Sequence, residues 1–249
     1  MITLSSDFGS PYPAAMKGVI LQQSEARLVD VSHEFPRQDV RAAAFWLREV
    51  LPHFPPAVHL VVVDPGVGTD RKALAVRAGD HAIVAPDNGV ALPAAHSLAD
   101  DIEVFELDAE NPASATFHGR DVFAPWAAII HDAGVDALAV IDGVTPTDDY
   151  AIERFPDPVL NAGSAEGEVL VVDDFGNVIT NIPGHVLADK DVLRVGDLQV
   201  PVGHTFAAVG IGAKVVTVGS HGNVELAVNR GRGDEAFSLD PGDRVELSW

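Results

Sequence analysis

Asp64, Arg71 and His118 are the residues of this chain best suited to managing a water molecule. A carboxylate can take up a proton, a guanidinium can fix that carboxylate, and an imidazole can polarise the same oxygen. Asp64 follows the apolar run His59-Leu-Val-Val-Val and opens Asp64-Pro-Gly-Val-Gly-Thr-Asp-Arg71, whereas His118 lies far downstream in Phe117-His-Gly-Arg-Asp121. The run has the length and β-branching of a buried strand, and Asp-Pro-Gly halts it where α/β sheets present their ligands. Taken alone, Asp-Pro-Gly reads more readily as a simple turn.

Other polar segments close strands in the same way. Ser6-Asp7-Phe8-Gly9 ends the first one, so Asp7 and Asp64 share a sheet edge if the two strands are neighbours. Ala85-Pro-Asp-Asn88-Gly89 fits a ligand-binding amide and an Asn-Gly turn equally well, while Asp173-Asp-Phe-Gly-Asn177 and Ser220-His-Gly-Asn223 each fit a hairpin turn.

The elements that must position these residues fall into two groups. Strands are expected at 2–6, 28–31, 58–63, 74–77, 82–85 and 102–107, with helices at 39–51, capped by Asp39, and 121–133, capped by Asp121 and stopped by Gly134. Strands alternating with helices predict an α/β domain with a mostly parallel sheet over residues 1–155. Two prolines and two glycines between Phe155 and Gly167 suggest a linker at 156–166. Beyond it, short β-rich runs punctuated by Gly, Asp and Asn, without helices, predict a smaller all-β, barrel-like domain over 167–249.

Composition excludes several function classes. With 249 residues, 47% of them hydrophobic, the chain can bury a real core. A formal charge of −21, from 16 Lys and Arg against 37 Asp and Glu, argues against a nucleic-acid partner and suggests a surface suited to concentrated salt. The absence of cysteine fits a reducing, cytoplasmic setting; no signal peptide or membrane span is expected. The ten histidines are scattered without a His-Glu-x-x-His or comparable cluster, so no metal site is expected.

Six ordered motifs, Ser6-Asp-Phe-Gly9, Met16-Lys-Gly-Val-Ile20, Val63-Asp-Pro-Gly-Val-Gly68, Ala85-Pro-Asp-Asn-Gly89, Phe117-His-Gly-Arg-Asp-Val-Phe-Ala-Pro125 and Asp173-Asp-Phe-Gly-Asn177, together resemble the S-adenosyl-L-methionine hydroxide adenosyltransferases, relatives of the fluorinases and chlorinases. The resemblance spans nearly the whole chain. It implies a homotrimer with sites where one subunit's N-terminal domain meets its neighbour's C-terminal domain, and a reaction in which water attacks C5′ of S-adenosyl-L-methionine to give adenosine and L-methionine without a cofactor. The family's catalytic trio falls on Asp64, Arg71 and His118, leaving open which member is the base. By the same resemblance Asp7 takes the ribose hydroxyls, Phe8 packs on the ligand, Asn177 reads the adenine edge, Asp174 lies by the methionine ammonium, and Ser220 and Glu225 serve the methionine or adenosine side. The charged Asn229-Arg-Gly-Arg-Gly-Asp-Glu-Ala236 departs from the family's pattern, so no adenine contact is carried onto it. Two rival readings stand beside this one: a chlorinase-like halogenase, which the trio disfavours because halogenases depart from it, and a binding protein without turnover.

Overall fold

Ile2–Ser6 (β1) and Val58–Val62 (β3) are buried along their whole length, as expected of strands covered on both faces. They belong to the first of two compact units, Met1–Arg154 and Phe155–Trp249, in a computed structural model that describes residues 1–109 and 113–249. In chain order the first unit contains β1, α1 (Tyr12–Leu21), β2 (Leu28–Ser32), α2 (Val40–Val50), β3, β4 (Ala73–Ala78), β5 (His81–Pro86), α3 (Leu92–Leu98), β6 (Ile102–Leu107), α4 (Ala124–Ala133) and β7 (Val144–Pro146).

The sheet order is β2-β1-β3-β5-β4-β6-β7. The pairs of β1 with β2, β1 with β3 and β3 with β5 are parallel; the pairs joining β5, β4, β6 and β7 are antiparallel. The sheet is therefore mixed rather than mostly parallel. Its direction reverses at β4 and β5, joined by Gly79 and Asp80 alone, too short a link for the crossover that parallel strands need. Gly79, at φ +56°, supplies the left-handed backbone of that turn.

Asp39 caps α2 as expected, its carboxylate accepting from Ala42 N at 2.9 Å. The later helix differs. It begins with a π-helical turn, Gly119–Phe123, and Asp121 lies inside this turn rather than at its cap. The Arg120 guanidinium takes the Asp121 carboxylate by two hydrogen bonds, of 2.5 and 2.7 Å, and holds its carboxyl below the usual carboxylate range. Gly134 ends α4 at φ +88°. Helix α1 was not among the expected helices; Pro13 is tolerated in its first turn, and Met16 and Ile20 bury it in the core.

At the opposite end of the strands from the Asp64 edge, Thr3, His59 and His81 form a chain across β1, β3 and β5. Thr3 Oγ1 lies 2.7 Å from His59 Nδ1, and His59 Nε2 lies 2.9 Å from His81 Nδ1. Burial, reinforced by His81, pushes the His59 imidazole down to about 3. Because the unfolded imidazole titrates near 6.5, the unfolded state binds the extra proton between these values; the His59 contribution is complete above pH 6.5 and is lost as pH falls towards 3. Thermal unfolding of the wild type and His59→Gln at pH 7 and pH 5 is expected to show an acid-induced loss about 2 kcal/mol smaller in the variant. Equal losses in the two proteins would contradict this assignment.

The second unit contains β8 (Val159–Asn161), β9 (Ser164–Val172), β10 (Val178–Pro183), β11 (Val192–Val195), β12 (Leu198–Pro201), β13 (Lys214–Val218), β14 (Asn223–Val228), α5 (Gly233–Phe237) and β15 (Arg244–Ser248). Its antiparallel sheet runs β12-β11-β15-β9-β10-β14-β13, with β8 on β9. A bridge between Val202 and Val216 brings the two ends together, so the barrel is nearly closed around Val169, Val178, Leu193, Val216 and Leu226. Two expectations are corrected. Residues 156–166 are not a bare linker, because Ala162-Gly163 turns β8 back onto β9. Nor are helices absent, since α5 covers a short stretch after β14.

Candidate active site

Parallel pairing places Ser6 opposite Val62, so the chain leaves β1 and β3 on one edge and carries Asp7 and Asp64 there. After Asp64 the backbone coils tightly: Val67 N donates to Asp64 O at 3.3 Å and Thr69 N to Gly66 O at 3.1 Å. Gly68, at φ +81°, passes so close to the downstream loop that a Cβ would stand 2.8 Å from Ala115 O. This turn returns Arg71 to Asp64. Arg71 Nε donates to Asp64 Oδ1 at 2.6 Å and Nη2 donates to Oδ2, a two-pronged pair. The Asp64 and Arg71 side chains are only 6% and 11% exposed. Arg71 Nη1 also donates to Lys72 O at 3.0 Å, and its guanidinium carbon sits 4.9 Å from the centre of the Phe123 ring.

The third member arrives from the π-helical turn. His118 precedes that turn, and Arg71 Nη2 lies 3.4 Å from its Nδ1. Arginine has no acceptor, so Nδ1 receives the hydrogen bond and a neutral His118 ring carries its proton on Nε2. Asn88 supports the group from below: its Nδ2 donates to Val63 O at 2.9 Å and its Oδ1 accepts from Val90 N at 3.2 Å. One end of the amide thus holds the backbone next to Asp64 and the other its own turn, a positioning contact that the Asn-Gly pattern alone did not separate from ligand binding.

Asp7, Phe8, Tyr12, Asp64, Phe117 and His118 line a cavity of about 480 Å³. Phe8, Tyr12 and Phe117 meet edge to face, with ring centres 5.5–6.1 Å apart, making an aromatic wall opposite the carboxylates. Asp7 Oδ2 accepts from Gln38 N at 2.6 Å. Tyr12 and Arg120, which also line the cavity, escaped sequence reasoning; Arg120 lies 5.2 Å over Phe117. Among the described residues, no group of three His, Asp or Glu side chains is placed to hold a metal ion.

Residues 2–140 match the SAM hydroxide adenosyltransferase N-terminal domain, and residues 167–246 match the corresponding C-terminal domain. The chain belongs to the SAM hydroxide adenosyltransferase family. Its relatives include the "(R)-S-adenosyl-L-methionine hydrolase" of Salinispora tropica, 39% identical and aligned over 99% of this chain and 97% of that protein. The protein of the same name from Thermus thermophilus is 40% identical, with 97% of each chain aligned. A crystal structure of an uncharacterized conserved protein from Thermotoga maritima has the same fold, with a TM-score of 0.86, 35% identity and full coverage of both chains.

In the C-terminal domain of this family member, Asp173-Asp-Phe-Gly-Asn177 forms the turn between β9 and β10. Asp173 Oδ1 accepts from Asn177 N at 2.8 Å and its Oδ2 from Asn177 Nδ2 at 2.9 Å, so the buried Asn177 side chain is fixed by Asp173 rather than Asp174. Asp174 is exposed, as is Phe175, at 79%. Ser220 is exposed in the turn between β13 and β14, and Glu225 is buried on β14 with its Oε2 3.7 Å from His221 Nε2. The structure thus gathers Asp7, Phe8, Asp64 and His118 around one cavity with Arg71 behind them, while Asp174, Asn177, Ser220 and Glu225 stand on the second unit.

Proposed function

We propose that this chain hydrolyses the (R) epimer of S-adenosyl-L-methionine to adenosine and L-methionine. Its relatives carry that epimer in their names, and the hydrogen-bonded convergence of Asp64, Arg71 and His118, with Asp64 and His118 facing the aromatic cavity, carries the reading for this chain. Water attacks C5′ from the side opposite sulfur; the new C–O bond forms as the C–S bond breaks and its electron pair stays on sulfur. The sulfonium leaves as a neutral thioether, so no acid has to protonate it. The enzyme's task is alignment of a poor nucleophile and removal of its proton. Asp64, locked by Arg71, accepts that proton through a lone pair not engaged by the guanidinium, and His118 Nε2–H steadies the oxygen as negative charge develops.

The binding side follows the same logic. Asp7 presents two acceptor oxygens for ribose hydroxyls, and the aromatic wall of Phe8, Tyr12 and Phe117 covers the apolar faces of the nucleoside. The homotrimer, with Asp174, Asn177, Ser220 and Glu225 of a neighbouring subunit completing the pocket, is part of this proposal, as are a cytoplasmic setting, a salt-rich source and turnover without metal or cofactor.

Incubating the protein with each epimer in molar potassium chloride, followed by chromatography, tests the reading. Adenosine formed at least tenfold faster from the (R) epimer is expected. A chlorinated nucleoside would establish the halogenase alternative, and bound but unconverted substrate would establish the non-catalytic one.

A further inference from the structure

A second cavity, of about 770 Å³, lies against the same trio. Asp64 lines the aromatic cavity and Arg71 lines the second; among the described residues, His118 is the one they share. The two differ in chemistry. Where the first carries three rings beside its carboxylates, the second has no ring but the shared imidazole among its described lining residues and mixes Asp70, Lys72, Glu106, Asp108 and Thr145 with the aliphatic Ala73, Leu107, Ala109 and Val122.

We propose that this second cavity is the water store of the reaction, delivering the entering water to His118 and Asp64 while the nucleoside fills the aromatic cavity. The inference rests on the hydrolytic reading above. A bound ligand in a pocket of this kind typically loses about 70–90% of its contact with solvent, so the aromatic side cannot also supply water freely once it is occupied. In-line displacement requires the nucleophile on the face of C5′ opposite sulfur, and a reservoir separated from the substrate by the trio itself supplies water without crossing the ligand. The second cavity has room for many waters, each taking about 30 Å³ in the liquid, and the polar partners that hold them.

Its charge also suits water as the entering group. Arg71 is neutralised by Asp64, and Lys72 is drawn to Asp149 at 3.0 Å and Glu106 at 3.3 Å. Lys72 thus faces two carboxylates and Asp70 adds another beside them, so carboxylates outnumber the cation here, which disfavours a halide anion over a neutral molecule.

Glu106 on β6 and Thr145 on β7 are directly paired and both line this cavity, so a large side chain at either takes up its volume. Thr145→Trp and Glu106→Trp are each expected to lower kcat at least tenfold, while the adenosine Kd from calorimetry stays within twofold of wild type. Wild-type rates in a folded Trp variant would overturn the proposal, as would a parallel loss of adenosine affinity, which would put substrate rather than water in this space. Failure of the wild type to form adenosine would instead defeat the hydrolytic reading itself.

Discussion

Asp64→Asn is expected to lower kcat by about 10³-fold and to destabilise the first unit by about 3 kcal/mol. Both effects come from one geometry. The carboxylate accepts from Nε and Nη2 of Arg71 with two oxygens, and both side chains are about nine-tenths buried. An amide offers one oxygen and turns its NH₂ towards a second donor, so the guanidinium keeps its charge in a poorly hydrated place without its counterion. Removing one partner of such a pair costs far more than removing both. The double variant Asp64→Leu/Arg71→Met should therefore regain much of the lost melting temperature while remaining inactive. Recovery of activity with stability would show that Asp64 acts only through packing; unchanged turnover in Asp64→Asn would remove the carboxylate from the chemistry.

How much of this site could be read from the chain depends on how local its causes are. The neighbouring edges of Asp7 and Asp64 follow from buried strands that show as continuous apolar runs, each stopped by a polar turn. The pairing of Arg71 with Asp64 is also local, because Gly68, at φ +81°, lets the eight residues 64–71 fold back on themselves. The approach of His118 is different. It depends on a π-helical turn, whose i+5 hydrogen bonding leaves little trace in side-chain periodicity, so the apolar stripe of 122–130 read as an ordinary helix capped by Asp121. Only the resemblance to the family brought that histidine to the other two.

Topology was hidden for a related reason. The apolar patterns of β4 and β5 are those of strands in either direction; the direction is set by the two residues between them, Gly79 and Asp80. In the second unit, the alternation of short runs gave the antiparallel barrel, but β8 was masked by the prolines around it, which a strand at the sheet margin tolerates. The turn at Asp173–Asn177 shows the limit most sharply. Its residues read as a hairpin turn, which they form, and the fixed orientation of Asn177 by Asp173 is visible only once both amide hydrogen bonds are in place.

His118→Ala is expected to lower kcat by about 10²–10³-fold with KM changed less than threefold. The second expectation separates the two ways an imidazole can serve. Because Arg71 Nη2 donates to Nδ1, the ring's remaining nitrogen presents a hydrogen to the cavity; His118 then steadies the entering oxygen rather than taking its proton. Glutamine can reproduce that pattern, accepting from Arg71 with Oε1 and donating with Nε2, yet it cannot accept a proton at neutral pH. His118→Gln should therefore retain kcat within about tenfold of wild type, well above His118→Ala, since a neutral hydrogen bond is worth roughly 1 kcal/mol and its replacement loses less than its deletion. Imidazole added to His118→Ala should restore part of the rate, because the emptied space adjoins both cavities. Equal inactivity of the Ala and Gln variants, with imidazole rescue that rises with the fraction of neutral imidazole, would make His118 the base and leave Asp64 to orient it.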